Sequence, residues 1–321
     1  SLSRCADEMV VASYENIQAF ELLVSKSDVI TYEFENVELL MVEKYIEMIP
    51  QKSKGLLKSK NRLIEKVYAS KLNIPTVNYL ELKHIHDIFY PSIIKTTTGG
   101  YDGKGQHRIL CKDDIDHFPH NAQYNYIIEA LVDFDYEISV IATRDQFGEI
   151  VTFPIPVNTH KNGILYESDV TKNLPNVVSE KAIDYTKRII NDLDYVGTLA
   201  VEYFVVGDDV IFNEFAPRPH NSGHYTIEGC TVSQFENHIL AITNEHVETP
   251  KLLQPVSMIN VLGQNMAFVE MCSTDNGFVH LYGKNEKKRD RKMAHITILG
   301  NSKSEIQKKI NHITKEFLWI D

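Results

Sequence analysis

The order of apolar and polar positions predicts an α/β chain. A helix ends at 73–75, because proline cannot continue a helix, and residues 180–194 carry the apolar stripe of an amphipathic helix. A further helical stretch follows the first of the β-rich runs. Those runs lie at 29–32, at intervals between 126 and 157, at 198–206 and at 210–215. The pattern divides the chain into an N-terminal α/β part at 1–55, a central part at 56–246 and a small mixed part at 247–321.

The composition is that of an ordinary globular protein, with 43% hydrophobic and 24% charged residues among 321. Its 33 Lys and Arg against 44 Asp and Glu give a net charge of −11, which disfavours non-specific binding to nucleic acid. Small anionic ligands are compatible with this charge, because they respond to the local field. No apolar run reaches the ~18 residues of a membrane span, and the first residues are not typical of a signal peptide. Four cysteines without a CxxC pair argue against a zinc ribbon or a disulfide scaffold and favour the reducing cytoplasm.

A glycine-rich segment at 96–106 lies between two predicted strands, 91–95 and 107–111. Its four glycines let the backbone approach a ligand closely and can turn free N–H groups toward an anion. It is not a Walker A loop, because Lys104 is followed by Gly105 and then by a strand. Two interpretations stay open: a flap that closes over phosphates, or a mobile hairpin tip.

Two glutamates are predicted to face each other across a hairpin. A three-residue turn at 207–209 sets Glu202 directly opposite Glu214, and Phe212 would share the face of Glu214. Like charges in such a pair repel, and a divalent cation with oxygen ligands, Mg²⁺ for instance, would relieve the repulsion beside Asn213. The alternative is a solvated face on which the two glutamates repel only weakly. A two-residue turn would shift the register by one and remove the pair.

Three further segments carry candidate binding chemistry. Glu33 and Glu35 follow the first β-rich run, where either a ligand site or a helix N-terminal turn is expected. The loop at 216–224 presents Arg, His, Asn and Ser groups suited to an oxyanion, and its two histidines leave zinc as a minor alternative. The cationic run at 284–292 is either a solvated face or a phosphate contact.

Taken in order, these segments resemble the ATP-grasp ligases and, among them, the N5-carboxyaminoimidazole ribonucleotide synthetase family of purine biosynthesis. The resemblance covers essentially the whole chain, and its most specific string is NEFAPRPHNSGH at 213–224. The other matching strings are DVITYEFENV (28–37), KTTTGGYDGKGQ (95–106), SQFENHILAIT (233–243) and YGK…RDRKMAH (282–295). The implied fold is an α+β ATP-grasp architecture. It comprises a partial Rossmann-like N-terminal domain at 1–55, an ATP-grasp domain at 56–246 and a small mixed C-terminal domain at 247–321.

The resemblance also implies a role for each matching residue. ATP would be bound by Arg62, Lys95, Gly100, Tyr101, Asp102, Gly103, Lys104, Gly105 and Gln106, by the adenine hinge Glu129, Ala130, Leu131 and Val132, by Glu137 at the ribose, and by His160. Mg²⁺, or Mn²⁺, would be held by Glu202 and Glu214 beside Asn213. Bicarbonate or the carboxyphosphate made from it would be held by Arg218, His220 and Asn221, which with Lys95 form the implied catalytic set. The 5-aminoimidazole ribonucleotide would be held by Tyr101, Lys104, Ser222, Lys284 and Arg291, with Glu33 or Glu35 at its imidazole end.

The implied reaction is an ATP-driven carboxylation. Bicarbonate attacks the γ-phosphate of ATP, giving ADP and carboxyphosphate, and the carboxyl group then passes to the exocyclic amine of the ribonucleotide. A homodimer in the cytoplasm is implied as well. Two alternatives are an ATP-grasp ligase with another acceptor and an Mg-ATP-binding remnant without turnover.

The sequence departs from the family pattern at two points. The family normally opens with a strand and a GxGQLG-type loop, so we expect about one βαβ unit to be absent here. Ala294 stands where a glycine is usual.

Overall fold

The computed structural model describes residues 6–99, 105–119, 121, 123–269, 277–284, 286–315 and 317. Its N-terminal part contains helices α1 (Ile17–Val24), α2 (Leu39–Lys44) and α3 (Lys54–Ser59).

The strand predicted at 29–32 is wrong, since residues 6–55 contain helices and loops only. The side-chain amide of Gln51 accepts the N–H of Tyr32 at 2.9 Å and donates to its carbonyl at 3.0 Å. A side chain thus satisfies the backbone groups that a neighbouring strand would otherwise bind.

A four-stranded antiparallel sheet carries the glycine-rich segment. Helix α4 (Arg62–Lys71) precedes it and ends where the sequence predicts. The strands are β1 (Tyr79–Leu82), β2 (Ser92–Thr96), β3 (Gln106–Ile109) and β4 (Tyr126–Ala130), in the order β1-β4-β2-β3. Lys95 pairs with Gln106, so the predicted hairpin is confirmed. The predicted ligands Gly100, Tyr101, Asp102, Gly103 and Lys104 lie outside the described residues.

A second, larger antiparallel sheet holds the other described strands. The elements that follow β4 are β5 (Tyr136–Arg144), β6 (Ile150–Thr152), β7 (Val157–Lys161), β8 (Ile164–Asp169), α5 (Asn176–Asp192), β9 (Gly197–Val206), β10 (Asp209–Ala216), α6 (Thr226–Gly229), α7 (Gln234–Ile242), β11 (Val256–Leu262), α8 (Met266–Val269), β12 (Phe278–Leu281), β13 (Lys292–Leu299) and α9 (Lys303–Thr314). The strand order is β10-β9-β5-β7-β8-β11-β13-β12, with β6 on β5. The sheet therefore continues past residue 247 through the pairing of β8 with β11. The boundaries of the three parts stay a prediction.

The two faces of β9 have different surroundings. Val201 and Tyr203 point into the largest apolar core, together with residues of α5 and β5. Ala200 and Glu202 line a cleft on the opposite face, which agrees with the alternation predicted for this strand. None of the described helices is long and apolar enough to cross a membrane.

Candidate functional site

The β9–β10 hairpin brings the two predicted glutamates together by an unexpected route. The predicted three-residue turn is wrong: Asp209 pairs with Val206, which leaves a two-residue turn. A β-bulge between Phe212 and Glu214 then shifts the register by one residue and sets Glu214 opposite Glu202. The pairing of Glu202 with Glu214 is therefore confirmed, because the bulge compensates for the shorter turn.

The bulge also separates Phe212 from Glu214. Phe212 pairs with Tyr203 and is fully buried in the main core, whereas Glu214 lines the cleft. The prediction that Phe212 and Glu214 share a face is wrong for this reason. The extra residue, Asn213, lies between them.

Helix α4 secures the bulge from the side with two consecutive charged residues. Lys66 Nζ donates to the carbonyl of Asn213 at 2.6 Å, and Glu65 Oε1 accepts the N–H of Phe215 at 2.8 Å. Both charged side chains are at least nine-tenths buried. A bulge leaves backbone groups outside the strand ladder, and these two side chains supply partners for them.

Three carboxylates, Glu65, Glu202 and Glu214, form what we call the carboxylate cluster. Burial and then Glu214 raise the pKa of Glu202 to about 7. The same two causes, in the same order, raise the pKa of Glu65 well above its ordinary value. Glu65 and Glu202 thus resist ionisation beside Glu214. A bound cation would lower this cost, and carboxylate oxygens are the ligands that hard divalent cations prefer.

A second buried group consists of Lys66, Lys95 and Glu129, which we call the lysine–glutamate cluster. Lys95 Nζ lies 2.7 Å from Glu129 Oε2, and Lys66 Nζ lies 3.7 Å from Glu129 Oε1. Burial alone would raise the pKa of Glu129, but the two lysines outweigh it and hold that pKa below its ordinary value. This arrangement places the predicted phosphate contact Lys95 on a fixed carboxylate.

Arg62 joins helix α4 to the base of the glycine-rich segment. Its guanidinium donates to the carbonyls of Thr96 and Gly99 at 3.0 and 2.6 Å. Gly105, at the other end of the segment, has φ +72° and accepts the N–H of Thr96 through its carbonyl. Arg62 lines the cleft, so the segment starts beside the predicted phosphate position.

The predicted hinge begins at the end of β4. The N–H groups of Ala130 and Leu131 donate to the carbonyls of Asn78 and Pro91, at 2.8 and 3.1 Å. These two donors are therefore already used, and the Glu129 side chain is held by lysines. The adenine contact at Glu129, Ala130, Leu131 and Val132 stays a prediction.

Glu137 and His160, predicted near the nucleotide, are neighbours. Glu137 Oε1 lies 3.2 Å from His160 Nδ1. Burial alone would lower the pKa of His160, but Glu137 raises it above its ordinary value. The two side chains thus form a partly buried ion pair when His160 is protonated.

The loop after β10 is held by side chains from distant parts of the chain. Arg218 Nε donates to Glu35 Oε1 at 2.9 Å, and Asn221 and Asn260 exchange amide hydrogen bonds at 2.6 and 2.9 Å. His220 Nε2 lies 3.8 Å from Glu202 Oε1. Burial and Arg218 lower the pKa of His220 well below its ordinary value, so the ring is neutral near pH 7.

Two predictions about this loop concern the Ser222 hydroxyl and the pair His220 and His224. Ser222 is fully buried and its hydroxyl lies 2.8 Å from His220 Nδ1, so it does not face the cleft as a substrate contact would. His224 contacts the amide of Gln234 at 3.0 Å. The zinc alternative for His220 and His224 stays a prediction.

The carboxylate cluster, Arg62, Glu33 and Glu35, the loop at 216–224 and the run at 284–292 border one cleft of about 1270 Å³. Among the described residues, Lys95, the hinge at 129–132, Glu137 and His160 are not part of its lining. The predicted residues that line it are Glu33, Glu35, Arg62, Glu202, Glu214, Arg218, His220, Asn221, Lys284 and Arg291. Nine Lys and Arg side chains line it against six Asp and Glu, so the cleft is net positive in a chain of charge −11. Five of those cations belong to the run at 284–292, which is therefore not simply a solvated face.

Glu33 and Glu35 both border the cleft but have different partners. Glu35 is paired with Arg218, whereas burial raises the pKa of Glu33 despite the nearby Arg218. Lys284 Nζ donates to the carbonyl of Lys292 at 2.8 Å, which holds its ammonium group at the cleft rim.

Family models match two parts of the chain. An ATP-grasp domain model matches residues 67–235, and a phosphoribosylaminoimidazole carboxylase C-terminal domain model matches residues 257–309. The chain is 37% identical over 317 residues to the N5-carboxyaminoimidazole ribonucleotide synthase of Staphylococcus haemolyticus, which covers 94% of this chain and 84% of that protein. The chain belongs to the N5-carboxyaminoimidazole ribonucleotide synthase family. The corresponding synthase of Bacillus subtilis is 37% identical over 313 residues, and the aligned region covers 94% of this chain and 82% of the Bacillus subtilis protein.

Solved structures of N5-carboxyaminoimidazole ribonucleotide synthetases share the fold. One, an ADP complex, matches with a TM-score of 0.92 at 40% identity, over 97% of this chain and 86% of that one. The Aspergillus clavatus synthase, in complex with ADP and 5-aminoimidazole ribonucleotide, matches with a TM-score of 0.88 at 26% identity, over 97% and 87%. These matches confirm the predicted family and the mixed ATP-grasp fold.

Sequence reasoning missed several residues of this synthase-family site. Those that line the cleft or support it are Lys60, Glu65, Lys66, Lys161, Tyr282 and Lys292. A signal existed for Lys292, which belongs to the cationic run. None existed for Glu65 and Lys66, because adjacent charges on an amphipathic helix ordinarily indicate its solvent face.

Proposed function

We propose that this chain carboxylates 5-aminoimidazole ribonucleotide with bicarbonate, by way of carboxyphosphate, to give N5-carboxyaminoimidazole ribonucleotide and ADP. The observation that carries the proposal is that one cleft joins the carboxylate cluster, the loop at 216–224 and the cationic run at 284–292. Membership of the synthase family supports the same reaction. ADP and the ribonucleotide occur together in the related Aspergillus clavatus structure.

The ATP phosphates are assigned to the side of the cleft where the glycine-rich segment begins. Arg62 lies there on the carbonyls of Thr96 and Gly99, and Lys95 extends from the adjacent strand. Phosphoryl transfer depends mainly on positioning and charge neutralisation, and both cations are held by fixed partners before ATP arrives.

The residues of the carboxylate cluster fit Mg²⁺, or Mn²⁺, on two grounds. Glu202 and Glu214 are directly opposed, and burial together with Glu214 raises the pKa of Glu202, a shift that a bound cation would counteract. We assign these two glutamates as the ligands, beside Asn213. When bound, the ion would supply positive charge to the phosphate oxygens of ATP.

Bicarbonate is assigned to the loop at 216–224. An oxygen of bicarbonate attacks the γ-phosphorus of ATP, and the bond from phosphorus to the ADP oxygen breaks. Arg218, held by Glu35, offers a guanidinium to the carboxyphosphate, and the neutral His220 and Asn221 face the same space. Donors fixed in advance stabilise charge as it develops in the transition state.

The ribonucleotide is assigned to the remaining side. Lys284 and Arg291 supply cations for its 5′-phosphate, and Glu33, whose burial favours the protonated form, lies toward the imidazole end. The exocyclic amine would then attack the carboxyl carbon of the carboxyphosphate near Arg218. The new C–N bond forms as the bond from that carbon to the phosphate oxygen breaks, inorganic phosphate leaves, and the amine loses a proton.

A coupled assay of ADP release, with and without each substrate, tests the proposal. We expect release that requires ATP, bicarbonate and 5-aminoimidazole ribonucleotide together. Release that another acceptor stimulates instead would indicate a different ATP-grasp ligase, and Mg-ATP binding without release under any condition would indicate a non-catalytic protein. The homodimer implied by the resemblance stays a prediction, which light scattering of the purified chain checks.

A further inference from the structure

A chain of hydrogen bonds runs through the buried layer beside His220. Ser222 Oγ lies 2.8 Å from His220 Nδ1, and Ser139 Oγ lies 2.7 Å from Ser222 Oγ. Asn158 Nδ2 follows at 3.0 Å from Ser139 Oγ, and Ser168 Oγ lies 2.9 Å from Asn158 Oδ1. The serines are fully buried and Asn158 is 5% exposed, so water does not compete for these contacts.

The large sheet sets the spacing of the side chains in this series of hydrogen bonds. Ser139 on β5 is the register partner of Glu202 on β9, and Asn158 on β7 is the partner of Ser168 on β8. The strands β5, β7 and β8 are consecutive in the sheet. Their backbone ladders therefore fix three of the polar groups, and the loop after β10 brings Ser222 onto them.

One backbone group determines which members of this series of hydrogen bonds donate and which accept. The N–H of Ser222 lies 3.3 Å from His220 Nδ1, and a backbone N–H can only donate, so Nδ1 carries a lone pair. The Ser222 hydroxyl then donates its proton to the same Nδ1 and accepts from Ser139. Ser139 has no second proton, so it accepts from the amide of Asn158, whose oxygen accepts from Ser168.

The position of His220 itself is fixed from the other side. Gln234 Oε1 accepts the backbone N–H of His220 at 2.9 Å, and Gln234 Nε2 donates to its carbonyl at 2.7 Å. With Nδ1 used as an acceptor, the neutral ring carries its proton on Nε2. That nitrogen lies 3.8 Å from Glu202 Oε1, on the side of the cleft.

We propose that Ser139 and Asn158 are positioning residues that, through Ser222, hold His220 as the Nε2–H tautomer, so that the ring donates a hydrogen bond into the cleft. The inference rests on the proposed function, because the acceptor of this bond is an anionic oxygen of the carboxyphosphate. A ring in this state offers no lone pair to the cleft, so it does not act as a general base there.

The tautomer can be read directly by NMR of the full-length protein with ¹⁵N-labelled histidine. Long-range proton–nitrogen correlations distinguish the Nε2–H from the Nδ1–H ring, and a His220→Gln variant identifies the signal among 13 histidines. We expect the Nε2–H form without any substrate. An Nδ1–H ring or an imidazolium at neutral pH would overturn the proposal.

Two variants test the positioning residues. Asn158→Asp replaces the amide donor by an acceptor, so Ser139 donates to it instead of to Ser222. We then expect the hydrogen bonds to reverse and the Nδ1–H tautomer to appear, with loss of the long 3.3 Å contact from the Ser222 N–H, kcat reduced about 100-fold and the KM for ATP unchanged. Asn158→Leu removes the donor without adding charge and should give a mixture of tautomers. Ser168→Ala is the control, since it leaves the direction of the amide unchanged.

The two proposals fail in different ways. Unchanged tautomer and kcat in both Asn158 variants would overturn the role of Ser139 and Asn158. If the aspartate variant does not fold, the leucine variant and the wild-type spectrum still decide. Absence of ribonucleotide-dependent ADP release from the wild type would instead reject the proposed function, while the spectrum reports the tautomer independently.

Discussion

Two charge clusters lie beside helix α4, one largely buried and the other with Glu214 exposed in the cleft, and their charges are compensated differently. In the lysine–glutamate cluster, Glu129 lies between Lys66 and Lys95, and its pKa is held below the ordinary value. In the carboxylate cluster, Glu202 and Glu214 oppose each other, and the pKa of Glu202 rises to about 7. One helix supplies a member to each cluster, Lys66 to the first and Glu65 to the second.

This difference in charge distinguishes a cluster that supports the structure from a cluster that can bind a ligand. A cluster in which each charge lies beside an opposite charge needs no ligand, and it holds groups such as Lys95 and the bulge at Asn213 in place. A cluster of like charges is costly until an opposite charge arrives, which is the arrangement expected at a binding site. Substitutions in each cluster, in the cationic run and at a buried histidine test this distinction.

Replacing Lys66 by methionine should break the lysine–glutamate cluster. We expect the free energy of unfolding to fall by about 3–5 kcal/mol, because Glu129 loses a buried partner and the carbonyl of Asn213 loses its donor. Urea unfolding measures this change. Lys71→Met, at an exposed position of the same helix, is the control and should change it by less than about 0.5 kcal/mol. Equal losses in the two variants would contradict the role of Lys66.

Replacing Glu214 by glutamine should have the opposite effect on stability. The repulsion with Glu202 is relieved, so the variant without metal should be at least as stable as the wild type, while ADP release falls about 10²–10³-fold. Thermal unfolding with and without Mg²⁺ provides a second readout. Mg²⁺ should raise the Tm of the wild type and of an Asp209→Asn control on the same strand, but not that of Glu214→Gln. A full Mg²⁺ response in Glu214→Gln would remove this glutamate from the metal site.

Lys284 tests whether the positive side of the cleft recognises the ribonucleotide. Lys284→Met should raise the KM for the ribonucleotide about 10–100-fold and leave the KM for ATP unchanged, since one charge-assisted contact is lost. Steady-state kinetics with each substrate varied in turn measures the split. Lys287→Met, exposed in the same cationic run and outside the lining of the cleft, is the matched control. Similar changes in both variants would indicate a general charge effect.

His238 extends the comparison to a buried group that fits its surroundings only when neutral. Its Nδ1 accepts the N–H of Thr198 at 3.0 Å, and burial lowers its pKa to about 4. The unfolded chain takes up this proton near pH 6.5 but the folded chain does not, so stability is complete above pH 6.5 and falls as the pH drops toward 4. At pH 5 the loss amounts to about 2 kcal/mol.

Unfolding at several pH values checks this contribution. A His238→Gln variant should lose less stability than the wild type between pH 7.5 and pH 5, because the other buried histidines contribute alike to both. His84→Gln, at an exposed histidine, should keep the wild-type dependence. If His238→Gln lost as much stability as the wild type between pH 7.5 and pH 5, His238 would not be the cause of this pH dependence.

Local patterns predicted the parts of the site that short segments carry. The hairpin around the glycine-rich segment and the end of helix α4 follow from turn residues and alternation, whereas the approach of Glu202 to Glu214 also needs the bulge at Asn213. The strand at 29–32 was wrong, because a strand needs a neighbour and the sequence cannot show that Gln51 replaces it.

The supporting residues were not predictable for a related reason. Lys66, Ser139 and Asn158 act through partners at least 10 positions away in the chain, and only the folded sheet brings them together. The bulge at Asn213 has no local signature either, since no glycine or proline marks it. The pairing of the glutamates was therefore predicted correctly from a turn that the structure does not contain.

The pairing of β8 with β11 has a consequence for how the chain can be divided. Three register pairs join these strands, so a fragment ending near residue 246 would expose the edge of β8 to solvent. Unpaired edges of this kind recruit other strands, and the fragment should aggregate rather than fold as a separate ATP-binding unit. Expression of the complete sheet, rather than of the matched ATP-grasp segment alone, is thus the condition for obtaining soluble material.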